Sequence, residues 1–146
     1  MLNYSKVYKH IKADVVEAFK LLMPDIWHTD PETQERMMKE WLDKASEIYG
    51  VESPKFEFRN DDEDGYVATG GGCYNPDENK ITIFKKASVV SLAHEFRHML
   101  QYKKEDLKLF KEDKEHDTRA WSVSLFRKAN PAAYRRAVNR GILHFD

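Results

Sequence analysis

The sequence predicts an α+β fold: a small antiparallel sheet or hairpin packed against a central helix, with additional helices toward both ends. Three features lead there. Apolar side chains recur at helical spacing over residues 4–23, 31–49 and 88–104 and again beyond 116, as helices that bury one face require. Residues 55–59 and 80–86 change to a two-residue alternation, the period of half-buried strands. The central helical stretch contains His94-Glu95-Phe96-Arg97-His98, an H-E-x-x-H pattern that sets both histidines on one helix face.

A chain of 146 residues suits one domain with a real core, and residues 1–146 read as a single domain without repeat, low-complexity tract or linker. Charged residues make up 34% but the net charge is -1, so no bulk attraction to nucleic acid or to an anionic membrane is expected. Aromatic residues at 12% argue for a folded chain. The single cysteine, Cys73, excludes an internal disulfide and suits a reducing compartment. No apolar run approaches the roughly 20 residues of a membrane span. Met1 to Lys6 has no apolar signal core. A soluble, cytoplasmic protein with no membrane partner is expected.

The elements follow in order. Val7, Ile11, Val15, Phe19 and Leu22 form one helical stripe, which Pro24 ends. Asp30 is placed to cap the next helix, with Pro31 at its first position. That helix carries Met37, Met38, Trp41, Leu42, Ala45, Ile48 and Tyr49 as core residues, and Gly50 closes it. Lys55 to Arg59 is a strand, Asn60 to Gly65 a solvated acidic turn, and Tyr66 to Thr69 a short second strand. Gly70-Gly71-Gly72 matches neither a phosphate loop nor a dinucleotide fingerprint, and instead permits close backbone approach. Gly72 to Lys86 reads as a hairpin through the turn Pro76 to Asn79, with Ile81 and Ile83 on one face and Thr82 and Phe84 on the other. Ser88 caps the motif helix, and Glu105 to Glu115 is a surface loop or short helix. A helix follows from near His116, and a last one starts at Asn130-Pro131.

On the motif helix, His94 and His98 would offer two imidazole nitrogens to one Zn²⁺, the expected cofactor. Glu95 lies about 100° round the helix from His94, beside the metal, as general base for a metal-activated water. A third ligand is sought in Glu115-His116-Asp117-Thr118-Arg119. Glu115 is the first choice, because the next helix can bring it against the motif helix. Asp117 is the second, lying about 200° from Glu115 on a helix, so that one of the two faces the metal. His116 is a further choice, as a ligand or a nearby hydrogen-bond donor. Without a metal, the histidines would be ordinary helix residues, and Glu115 would complement the helix dipole. Tyr74, Tyr102, His116 and Arg119 are unranked candidates for the oxyanion donor.

These residues resemble the gluzincin metallopeptidases, particularly compact single-domain members such as the ImmA/IrrE-like peptidases and small zincins of phages and bacteria. The resemblance covers roughly residues 72–126 and rests on His94-Glu95-x-x-His98 with a helix-borne acidic motif downstream. It implies a zincin-like fold, His94, His98 and Glu115 as zinc ligands, and Glu95 as base. It also implies an antiparallel edge strand, within Gly72 to Phe84, that binds an extended peptide or protein substrate. Two residues depart from the pattern. Arg97 places a charge inside the motif, and Arg119 stands where an acidic residue is usual, so the partner that orients a ligand histidine is unidentified.

The expected function is zinc-dependent hydrolysis of peptide bonds. The alternative is a weak or inactive zincin-like module used for binding or regulation. Arg127, Lys128, Arg135, Arg136 and Arg140 read as a solvated face, and nucleic acid is not an expected partner.

Overall fold

The computed structural model describes residues 11–22, 29–59, 71–84, 89–104 and 114–141. Among them are five helices and one three-stranded sheet: α1 (Ala13–Lys20), α2 (Pro31–Tyr49), β1 (Lys55–Arg59), β2 (Gly72–Asn75), β3 (Lys80–Phe84), α3 (Val89–Lys103), α4 (Lys114–Ala129) and α5 (Pro131–Asn139). The start of the first helical stripe, the acidic turn at 60–65, the second strand at 66–69, the Ser88 cap and most of the charged stretch after Lys104 lie outside the described residues.

The helix ends follow the capping chemistry. Asp30 Oδ1 accepts from Thr33 N at 2.9 Å, with Pro31 opening α2. Gly50 ends that helix at φ +68°, a left-handed conformation that costs glycine little. Asn130 caps α5 through a 3.1 Å bond from Ala133 N. The helix expected from near His116 begins two residues earlier, at Lys114.

The sheet differs from the expected antiparallel one. Its strand order is β1-β3-β2, and it is mixed. β2 and β3 form the antiparallel hairpin, with Cys73 opposite Thr82. β1 instead runs parallel to β3, pairing Lys55 with Lys80 and Arg59 with Phe84. Asn79 at the hairpin turn fixes this arrangement: its carbonyl accepts from Lys55 N at 2.8 Å, and its Nδ2 donates to Ser53 O at 3.4 Å. β3 is thus the central strand. Ile81, Thr82 and Ile83 are all buried, so both faces of the strand are covered. Central strands are covered on both faces, and their sequence loses its alternation.

The core lies where α1, α2, α3, α4 and the sheet meet. Trp41, Phe96 and Trp121 form a chain of rings, Phe96 lying 5.2 Å from Trp41 and 6.0 Å from Trp121 between centroids. Trp41 and Met38 are buried in this core, and Met37 packs against it. Helix α4 is buried from Asp117 to Phe126 with one exception, Arg119. A helix covered this completely must carry its polar groups in pairs.

Gly72 shows why the glycine run matters. A Cβ there would meet Thr82 O at 2.5 Å and the Ile83 Cδ1 at 2.6 Å, with Glu95 Cγ at 3.5 Å. Gly72→Ala is expected to lower stability by about 1–3 kcal/mol through overpacking, read as a lower urea midpoint at unchanged slope.

Candidate metal centre

His94, Glu95 and His98 come from the middle of α3, and Glu115 from the first turn of α4. The two helices pack so that one ligand atom from each of His94, His98 and Glu115 lies within 4.8 Å of the others. His94 Nε2 is 3.4 Å from Glu115 Oε2, and His98 Nε2 is 2.9 Å from Glu115 Oε1. For metal–ligand bonds of about 2.1 Å, tetrahedral neighbours stand roughly 3.4 Å apart. The trio is a candidate donor set of two imidazoles and a carboxylate, with the His98–Glu115 pair closer together than ligands of one tetrahedral ion would stand.

Comparison with protein-family models, curated proteins and solved structures returns no match for this chain. The chemistry of the site therefore has to be judged from its own residues.

Hydrogen bonding sets which nitrogen of His98 faces the cleft. Gln101 Nε2 lies 2.7 Å from Asp117 Oδ2 and 3.0 Å from Lys114 O. Both partners are acceptors when Asp117 is ionised, so the amide nitrogen belongs on that side. Gln101 Oε1 then faces His98 Nδ1 at 3.1 Å. An amide oxygen only accepts, so Nδ1 carries the proton and donates. Nε2 is then the nitrogen that faces Glu115 Oε1, the position from which it would ligate a metal.

The same amide ties the two helices together. Arg97 Nε donates to Asp117 Oδ2 at 2.8 Å, and Arg97 Nη2 donates to Asp117 Oδ1 at 3.0 Å. Both side chains are almost fully buried, at 1% and 0% exposure. The Arg97 guanidinium also lies 5.5 Å from the Trp121 ring centroid. Thr118 Oγ1 bonds Lys114 O within the first turn of α4. Asp117, one of the alternatives for the third ligand, thus faces away from the trio and pairs with Arg97. His116 is exposed and does not line the cleft.

Burial sets the protonation of the site. It pushes the His94 imidazole down to about 4, helped by the neighbouring His98. His94 is therefore neutral at pH 7, with its lone pair available. Burial also pushes the Glu95 carboxyl up to about 7, with His98 opposing the rise and Glu115 adding to it. A carboxyl poised near neutrality both accepts and returns a proton at pH 7.

A cleft of about 560 Å³ opens over these groups. Gly71 lines it just before β2, Gly72, Cys73 and Tyr74 from β2, Val90 and Ser91 from α3, and Glu115 and Arg119 from α4. Among the described residues, β3 is the sole partner of β2, which makes β2 an edge strand beside the cleft. The unranked oxyanion candidates now separate. Tyr102 and His116 are not in the lining, and the Tyr74 hydroxyl donates to Asn79 Oδ1 at 2.9 Å. Sequence reasoning missed Gln101 and the Arg97–Asp117 pair. The available signal was a polar Gln101 between apolar neighbours, one turn beyond both Arg97 and His98.

Proposed function

We propose that this chain is a zinc-dependent, gluzincin-like hydrolase of peptide bonds, with His94, His98 and Glu115 as ligands and Glu95 as general base. The observation that carries this reading is the convergence of the three ligand atoms beside a buried carboxyl held near neutrality. Zinc bound to such a donor set supplies Lewis acidity, polarising a carbonyl and making a water acidic. Glu95 takes the proton from the attacking water and returns it to the leaving amine. His98 is held in the ligating tautomer by Gln101, and His94 is kept neutral by burial. An extended peptide would add to β2 through main-chain hydrogen bonds, which bring its scissile bond over Glu95.

The test is hydrolysis of an unfolded protein by the zinc-loaded chain. Activity should vanish with a chelator and return on adding zinc. Cleavage that persists without metal, or no cleavage by zinc-loaded protein, would sink the proposal. Gln101→Leu should lower zinc affinity by about 10- to 100-fold, measured by competition with a chromophoric chelator, because His98 then loses its acceptor.

A further inference from the structure

We propose that Arg119 selects substrates that carry a carboxylate close to the cleaved bond, so that the cleft takes acidic peptide segments. This inference rests on the hydrolytic reading of the cleft and adds its substrate class. Among the described residues, Arg119 is the one Arg or Lys in the cleft lining. It is also the one exposed residue in an otherwise buried run from Asp117 to Phe126. Its guanidinium has no carboxylate partner among the described residues. By contrast Arg97, on the facing helix, is sealed in a bidentate pair.

Position gives the register. Arg119 follows Glu115 by four residues, so both side chains lie on one face of α4, about 6 Å apart along the axis. Helical side chains lean toward the N-terminus, which carries the guanidinium back over the Glu115 turn and the cleft. An extended peptide advances about 3.3 Å per residue. A carboxylate one or two residues from the scissile bond therefore reaches Arg119. The exposure of Arg119 assigns it to a substrate side chain at the wall, while the buried Glu95 and half-buried His94 serve the reacting atoms on the floor.

The stretch of chain that follows Arg119 has the same sign. From Thr118 to Gly141 there is no Asp or Glu, but there are Arg119, Arg127, Lys128, Arg135, Arg136 and Arg140. None of the last five pairs with a carboxylate among the described residues. In a chain of net charge -1 this is a local field, not a bulk one. Such a field raises the local concentration of an acidic substrate and weakens with salt. An acidic peptide is favoured over nucleic acid because Arg119 shares its cleft with a strand edge, which recognises a peptide backbone.

Three matched peptides decide it, with Glu, Gln or Lys flanking a single cleavable bond. The zinc-loaded wild type should cleave the Glu peptide with kcat/KM roughly 10- to 100-fold above the Gln peptide, the gain of a charge-assisted pair. The difference should lie in KM and shrink in high salt. Arg119→Glu should reverse the order in favour of the Lys peptide. Equal cleavage of all three, or a uniform fall in kcat in Arg119→Met, would overturn the assignment while leaving hydrolysis intact. Fluorescence anisotropy with zinc-loaded Glu95→Gln reads selection without turnover. Preferred binding of the Glu peptide there, with no cleavage by the wild type, would keep the selection and remove the hydrolytic reading. A short single-stranded oligonucleotide that binds more tightly than the Glu peptide, and displaces it, would also overturn it.

Discussion

Glu95→Gln is expected to cut hydrolysis by roughly 10²- to 10⁴-fold, the usual share of a general acid–base group, while zinc stays bound. Glu95 lines the cleft but belongs to none of the three ligand positions, so its loss removes a proton carrier and not a metal ligand. Gln keeps the size and removes the titration. Parallel assays of activity and zinc content check this, and full activity in the variant would contradict the role. A second readout comes from pH. The Glu95 carboxyl rises from 4.5 to about 7 in the folded chain. The folded state thus holds this proton more tightly than the unfolded state. Its contribution to stability is complete below pH 4.5 and is lost as pH rises toward 7. Glu95→Gln has no such loss. In metal-free protein, its stability relative to wild type should therefore climb across that window, by about 3 kcal/mol. Urea denaturation at pH 4.5 and pH 8 measures the change.

Arg97→Met is expected to cost about 3–5 kcal/mol, because it strands the Asp117 carboxylate in the core. The guanidinium is 1% exposed and its partner 0%, so water cannot replace the lost bonds. The double variant Arg97→Met with Asp117→Leu should recover most of this loss, since apolar replacement of a whole buried pair is close to neutral. It should still bind zinc less tightly than wild type. Gln101 donates to Asp117, and without that acceptor the amide that orients His98 is less firmly held. A denaturation cycle over the two single variants and the double variant separates the outcomes. If Arg97→Met alone were as stable as wild type, the buried pair would not be holding α3 to α4.

These consequences show how much could be read from residues alone. The H-E-x-x-H spacing, the caps at Asp30 and Asn130, the Gly50 stop and the hairpin over 72–84 are local. They depend on a few neighbouring residues, and the structure has them. Glu115 as the companion of the two histidines was also within reach, because the first turn of the next helix is a short path from the motif. The parallel pairing of β1 with β3 was not. It joins strands that are not consecutive, and its key bond comes from the Asn79 carbonyl, which every residue type carries. Arg97 looked like a departure from the motif because its charge was judged without its partner. Twenty residues later Asp117 neutralises it in a buried ion pair, while the other departure, Arg119, stays exposed. Long-range polar pairing leaves no period in a sequence.

The most direct test of the central claim is zinc X-ray absorption on the purified chain, run beside Glu115→Ala. Two imidazole nitrogens with oxygen donors, one zinc per chain, and a large loss of zinc in Glu115→Ala are the expected results. Cys73 lines the same cleft, so sulfur in the coordination shell is a meaningful alternative. Sulfur ligation, zinc retention unchanged by Glu115→Ala, or no stoichiometric metal at all would contradict a His94–His98–Glu115 zinc centre.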